Sequence, residues 1–251
     1  MYETVKGLVI REVVFGETDK LIDLLTDTGV RTVRVRGARK PGSKYAAVTQ
    51  IFSYGEFCLR QSGERLYLDS AVSLSAFYGI RNRLEALALA SYFSELVRRT
   101  ATDQPQPQIL RLFLICLHYL SEHTREDLQI KAVFEMRLVT ELGMMPDLVC
   151  CPVCLRYLPP KPILRLDRAD MVCEDCYPGP GWNDLAVTAA TLQAVRHAIY
   201  SDLERVLAFR VRGDSLWLFA QYAEAYVLRR TEHAYPTLQF YRSITGLDSE
   251  N

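Results

Sequence analysis

The sequence has no long uninterrupted apolar run. Its most apolar stretch, Ile109 to Leu120, is broken by His118 and is too short to cross a bilayer, so it predicts a buried helix and no membrane role. The first residues, Met1 to Arg11, mix Glu3, Lys6 and Arg11 among apolar neighbours and lack the core of a signal peptide, so export is not expected and the cytoplasm is the expected compartment. Neither sign of charge is in excess: 30 Lys and Arg balance 30 Asp and Glu. Any affinity for nucleic acid must therefore come from where the charges sit and not from their sum. Histidine is scarce. His118, His123, His197 and His233 are scattered on helical segments without ligand or general-base spacing, which marks them as structural or surface residues. No nucleophile motif and no internal repeat is visible.

What is present is an ordinary globular composition, with 49% hydrophobic and 24% charged residues in 251. That length allows two or three packed modules. From Val5 to Val72 the pattern is one of short β-runs: Leu8 to Val13, Leu21 to Leu25, Val30 to Arg36, Ile51 to Leu59 and Leu66 to Val72. Gly29 and Gln61 to Glu64 are turn candidates between them. Five such runs predict a small barrel over residues 1–80, of the OB type or, as the competing reading, of the SH3 type. From about Arg81 the periodicity becomes helical. Leu84, Leu87, Leu89, Phe93, Leu96 and Val97 leave little polar face, so this helix should be central. Pro105 and Pro107 interrupt, Ile109 to Leu120 and Asp127 to Leu142 continue, and Gly143 and Pro146 stop the pattern. Helices resume after the cysteine segment, with Thr188 as a cap for a run to Tyr200 and Asp214 or Ser215 as a cap for a run to Arg230. The tail after Tyr235 reads as irregular. The expected class is α+β: an N-terminal OB-fold β-barrel, then a helical domain over 81–149 and 183–251 that carries an inserted module at 150–182.

Four of the seven cysteines fall into two pairs, Cys151-Pro152-Val153-Cys154 and Cys173-Glu174-Asp175-Cys176, with eighteen residues between them. A Cys-x-x-Cys turn points two thiolates at one ion, and two such turns complete a tetrahedron, so Cys151, Cys154, Cys173 and Cys176 predict one structural Zn2+. Buried reduced thiols or a redox pair are the alternatives. Cys150 can also replace Cys151, though only with a rarer three-residue gap. A four-thiolate shell leaves no open position for an activated water, which argues against metal-assisted hydrolysis. The proline-rich surroundings, Cys150 to about Trp182, suggest a loop-built module nucleated by its metal.

The second concentration is basic. Arg31, Arg34, Arg36, Arg39, Lys40 and Lys44 lie within fourteen residues that contain no acid. On a strand, Arg34 and Arg36 share one face while Val33 and Val35 share the other, so a barrel can bury the valines and present the guanidinium groups. Arg39, Lys40 and Lys44 extend the patch along a loop. Such a patch suits phosphate backbone without reading sequence, with a merely solvated face as the alternative. Phe52 and Tyr54 are candidates for base stacking or for core packing. Gly37 to Lys44 superficially resembles a phosphate-binding loop, but its Ser43-Lys44 order is reversed and no long helix follows, so nucleotide hydrolysis is not expected.

Three further segments carry a family likeness: Gly7 to Glu12 with Gly16 to Leu21 and the Arg36-Gly37-Ala38-Arg39 turn; Phe134 to Leu138 leading to Glu141 to Leu148; and the cysteine quartet just downstream. In this order and spacing the chain resembles the bacterial RecO recombination and repair family over essentially its full length. The resemblance implies an OB-fold, a helical body and an inserted zinc module. It also implies binding of single- and double-stranded DNA and annealing of complementary strands. The implied partners are RecR and the C-terminal tail of single-stranded DNA-binding protein, on the way to RecA loading. That tail is acidic and apolar-ended, and Arg98, Arg99, Lys131 and Arg137 are candidate cations for it. A non-enzymatic DNA-binding mediator is thus the leading expectation. The rivals are a zinc-ribbon transcription or RNA-binding factor and a metal hydrolase.

Overall fold

The computed structural model describes residues 1–102, 105–181 and 184–247. Trp182, the expected end of the cysteine module, and the last residues of the chain lie outside them. Two compact units form: Met1–Ser121 with the segment from Thr237 onward, and Glu122–Pro236.

The first unit opens with five strands, β1 (Tyr2–Phe15), β2 (Asp19–Thr26), β3 (Gly29–Val35), β4 (Tyr54–Ser62) and β5 (Arg65–Ser75). They close into a barrel in the order β1-β2-β3-β5-β4, the OB-like arrangement. All neighbours are antiparallel except β3 and β5, whose short parallel contact pairs Val33 with Leu66 and Arg34 with Tyr67. The period-two alternation does what the sequence requires of it. Val33 and Val35 turn inward to meet Val9, Ile22, Leu24, Phe57 and Leu59, and Arg34 and Arg36, which alternate with them, turn away from the core. A bulge between Val9 and Arg11 adds the local twist that a short barrel needs to close.

Strand boundaries differ from the sequence reading in several places, and β1 already starts at Tyr2, six residues before the expected Leu8. Gly29 opens β3 and the turn is at Asp27–Thr28. Residues 51–53 are turn and not strand, because Phe52 sits at φ 65 with its amide donating 2.7 Å to the Val9 carbonyl. Phe52 is therefore core and gives no stacking face. Gly55 shows how tightly β4 meets β5, since a Cβ there would collide with the Val72 carbonyl. Gly55→Ala is expected to cost about 1–3 kcal/mol. An unchanged melting temperature would mean that the two strands have slack.

Helices α1 (Leu84–Thr100), α2 (Pro107–Glu122) and, after the second unit, α6 (Pro236–Thr245) complete the first unit. α1 buries nine residues, from Ala86 to Val97. α6 corrects the expectation of an irregular tail. Pro236 stands at the first helical position, where its fixed φ is favourable. Leu238 and Tyr241, three apart, are both buried. Thr237 donates to Glu95 of α1 through Oγ1 at 2.6 Å.

In the second unit α3 (Asp127–Glu141), α4 (Ala189–Tyr200) and α5 (Gly213–Thr231) pack together. α3 is buried almost all round, and its Gly143 exit at φ 78 returns the Met144 amide to the Val139 carbonyl at 2.8 Å, a left-handed helix stop. Thr188 caps α4 by accepting from the Thr191 amide. α5 starts one residue before the expected caps: Arg212 precedes it with no side-chain cap, and Asp214 lies in its first turn, where a carboxylate suits the helix dipole. The cysteine segment is less loop-like than expected, because β6 (Pro162–Arg165), β7 (Asp170–Cys173) and β8 (Asp184–Ala186) form a three-stranded sheet in the order β7-β6-β8. Arg165, held bidentately by Asp170 at 2.6 and 2.5 Å, clamps the β6–β7 turn.

Candidate functional site

The cysteine quartet is built from a turn and a strand end. In the first turn the Leu155 amide donates to the Cys151 carbonyl at 2.9 Å and the Cys151 amide to the Arg156 carbonyl at 3.1 Å, which folds Cys151 and Cys154 onto one side. Leu155 takes φ 59 to complete this turn. Cys173 ends β7, where it is opposite Pro162, and a single helical turn, Glu174–Cys176, brings Cys176 round. All four Sγ atoms lie within 4.8 Å of one another, and Cys154 and Cys173 approach to 3.5 Å. A zinc ion with bonds of about 2.3 Å to four thiolates needs sulfurs about 3.8 Å apart, so the cluster can hold a metal ion of that size. Cys150 is outside it.

The electrostatics of the quartet suit a cation. Burial raises the Cys151 thiol, but amide donors from Cys173, Cys154 and Val153 outweigh it and bring the pKa down to about 6. Cys176, beside the sulfurs of Cys173 and its neighbours, is pushed up to about 12, and burial raises Cys173. One negative charge is thus easy to place among the four sulfurs and several are not. A divalent ion would remove that repulsion. Around the rim, Arg156 pairs with Asp175 at 3.0 Å and Lys161 with Glu174 at 3.2 Å.

On the barrel, the five expected cations are not equivalent. Arg34 is half-buried over the Phe15 ring, 4.6 Å from its centroid, and forks onto Asp19 with Nε at 2.9 Å and Nη2 at 2.7 Å. The other Asp19 oxygen accepts from the Gly37 amide at 2.8 Å. Arg34 and Asp19 therefore fix the start of the loop that carries the remaining cations. The Gly37 amide, and then Arg34, hold the Asp19 carboxyl below its ordinary value. A lowered carboxyl stabilises the fold fully above its unfolded pKa of about 3.9, and that contribution is lost as pH falls through the lower folded value. Asp19→Asn should lower the melting temperature at pH 7, and the gap from wild type should close in strong acid. A gap that persists at the lowest pH would show that the carboxylate charge is not what matters.

Arg36, Arg39, Lys40 and Lys44 are exposed. Arg39 donates to the Glu17 carbonyl at 3.0 Å, and Lys44 lies 5.0 Å from the Tyr45 ring centroid. Arg36 sits over Tyr67 at 4.5 Å. There the structure adds residues that the sequence reading missed: Arg60 of β4 stands 5.3 Å from the same ring, and Arg65 lies two residues before Tyr67 on β5, on the same strand face. Burial raises that phenol, and the nearby guanidinium groups of Arg36 and Arg65 outweigh it, leaving the pKa below its usual value. Three arginines from three parts of the chain thus surround one tyrosine. The only sequence signal was the pair of arginines flanking the Gly63-Glu64 hairpin turn.

The cations considered for an acidic tail are all engaged. Arg98 binds Asp23 at 3.0 Å, Arg99 binds Glu95 at 2.8 Å, and Arg137 binds Glu141 at 2.7 Å. Lys131 is buried between Glu135 and Glu224, 2.8 Å from each. A buried ammonium needs such partners, so Lys131 is a structural cation. Among the described residues no helix is long and apolar enough to cross a membrane.

Barrel, helices and quartet together define an α+β protein that joins an OB-like barrel to a helical part with four clustered cysteines. The family model for Recombination protein O N terminal matches residues 1–77, and the one for Recombination protein O C terminal matches residues 81–238. DNA repair protein RecO of Acetivibrio thermocellus is 29% identical over 248 residues, 97% of each chain. The Bacillus subtilis protein of that name is 30% identical over 203 residues, 80% of this chain and 78% of its own. That of Symbiobacterium thermophilum is 28% identical over 248 residues, 94% and 95% of the two chains. The chain belongs to the RecO family of DNA repair and recombination proteins.

Proposed function

We propose that this protein is a non-enzymatic DNA-binding mediator of RecF-pathway recombination. It binds single- and double-stranded DNA in the cytoplasm, at the nucleoid, anneals complementary strands and, with RecR, helps load RecA onto strands coated by single-stranded DNA-binding protein, whose tail it receives. The observation that supports this most is that family likeness spans both halves of the chain while the barrel carries an exposed cluster of cations. Arg36, Arg39, Lys40 and Lys44, joined by Arg60 and Arg65, grip phosphates. Arg34 contributes chiefly by holding the loop. Neutralising phosphates on two strands lets them approach, which is the physical content of annealing. One structural Zn2+, held by Cys151, Cys154, Cys173 and Cys176, stiffens the module between α3 and α4. Separate domains for barrel, helices and zinc module, at 1–80, 81–149 with 183–251, and 150–182, fit this division of labour.

Titration of labelled single-stranded DNA, duplex and structured RNA tests the reading. It predicts DNA binding that weakens steeply with salt and is indifferent to sequence. Clear preference for structured RNA would favour a zinc-ribbon RNA-binding factor instead.

A further inference from the structure

A cavity of about 690 Å³ opens on α4 and the segment preceding α5, and among the described residues no carboxylate lines it. Arg196 of α4 is one of its walls and is only 4% exposed. Its Nε donates to the Leu148 carbonyl at 2.7 Å, and its Nη2 to the Val149 and Tyr157 carbonyls at 2.9 and 2.6 Å. All three partners are neutral, and Nη1 has none. A guanidinium at this depth with no counter-charge is an uncompensated cation, which folded proteins rarely keep without a reason. Arg210 and Arg212, both exposed, line the same cavity, as does Ser201, whose Oγ is buried and also unpartnered.

Exposed Arg210 and Arg212, with the uncompensated charge of buried Arg196 behind them, make an anion site, and guanidinium forks match phosphate oxygens. The volume exceeds what one phosphate needs and falls in the range of small-molecule sites. Aromatic walls take up the remainder. Tyr157 is 58% and Tyr200 43% exposed, and Arg196 lies against the Tyr157 ring at 4.2 Å from its centroid. Exposed aromatic rings beside arginines are what single strands stack on.

We propose that this cavity takes one nucleotide of a single strand, its phosphate against Arg210 and Arg212 with the charge of Arg196 behind them, and its base against Tyr157 or Tyr200. The proposal rests on the DNA-binding reading and adds a second contact, separate from the barrel. It is tested with the full chain and a single-stranded oligonucleotide carrying 5-iododeoxyuridine, crosslinked by light and mapped by mass spectrometry. Crosslinks are expected at Tyr157 or Tyr200 as well as on the barrel. The Arg210→Ala, Arg212→Ala double variant, in which buried Arg196 is left in place, should lose the former and keep the latter. Losing this one phosphate contact should also lower the salt slope on single strands by about 0.7. Crosslinks confined to the barrel, or an unchanged slope in the double variant, overturn the proposal and leave the DNA-binding reading intact. Absence of any DNA binding by the wild type overturns both. If an acidic, apolar-ended peptide binds the wild type, fails to bind the double variant, and the oligonucleotide does not distinguish the two, the cavity is a peptide site and the proposal is wrong.

Discussion

Cys151→Ser is expected to take the protein from one zinc per chain to nearly none and to destabilise the module around it strongly. Cys151 is fully buried and anchors the first turn through its own amide and carbonyl, so a serine there removes a ligand without offering a soft replacement. Structural zinc in small modules contributes on the order of 10 to 16 kcal/mol of apparent binding free energy at neutral pH. The β6–β7–β8 sheet is short and is directly continuous with Cys173, so loss of the metal loosens its end although Leu164, Met171 and Val172 are buried. Cys154→Ser, at an exposed ligand, should lose metal as well but melt less severely. Metal analysis of freshly purified reduced protein, paired with thermal unfolding, reads both effects. A Cys151→Ser protein that kept one zinc and its wild-type melting temperature would remove the assignment.

The second large effect concerns the barrel. With Arg36, Arg39, Lys40 and Lys44 all changed to alanine, DNA binding should weaken almost equally on every sequence while the barrel stays folded, since all four side chains are exposed. Each phosphate contact contributes about 0.9 to the salt slope on duplex and about 0.7 on single strands, so four lost contacts flatten it by about 3.6 and about 2.8. Arg34 is left out of this set on purpose. Its fork to Asp19 makes Arg34→Ala a change in loop placement, which would confuse lost charge with lost geometry. A folded quadruple variant with the wild-type slope would make the patch an ordinary solvated face.

Much of this was legible in sequence because it depends on local pattern. Alternation in Val33–Arg36 placed the valines inside and the arginines outside, and the barrel followed from five such runs. The doubled Cys-x-x-Cys spacing identified the cluster, because two ligands three residues apart share a turn whatever surrounds them. What escaped was non-local. Arg60 and Arg65 join Arg36 only through barrel closure, where β3 meets β5 at Val33–Leu66 and Arg34–Tyr67, a pairing of residues some thirty positions apart that no window reveals. The engagement of Arg34 by Asp19 and the burial of Lys131 between two glutamates are also tertiary facts, and each turns an apparently available cation into a structural one. α6 was missed although Leu238, Tyr241 and Ile244 recur at helical spacing, because a run of ten residues is too short to stand out from an irregular tail. The short strands β6 to β8 were hidden by the prolines and glycines around them.

The most direct measurement is annealing of two complementary oligonucleotides by the purified full-length chain, followed by fluorescence quenching, with no nucleotide cofactor added. The account predicts that the wild-type protein accelerates annealing over the spontaneous rate, that the acceleration falls as salt rises, and that the Arg36, Arg39, Lys40, Lys44 alanine variant loses most of it. Wild-type protein that binds DNA but leaves the annealing rate unchanged, or a quadruple variant that anneals as fast as wild type, would contradict it.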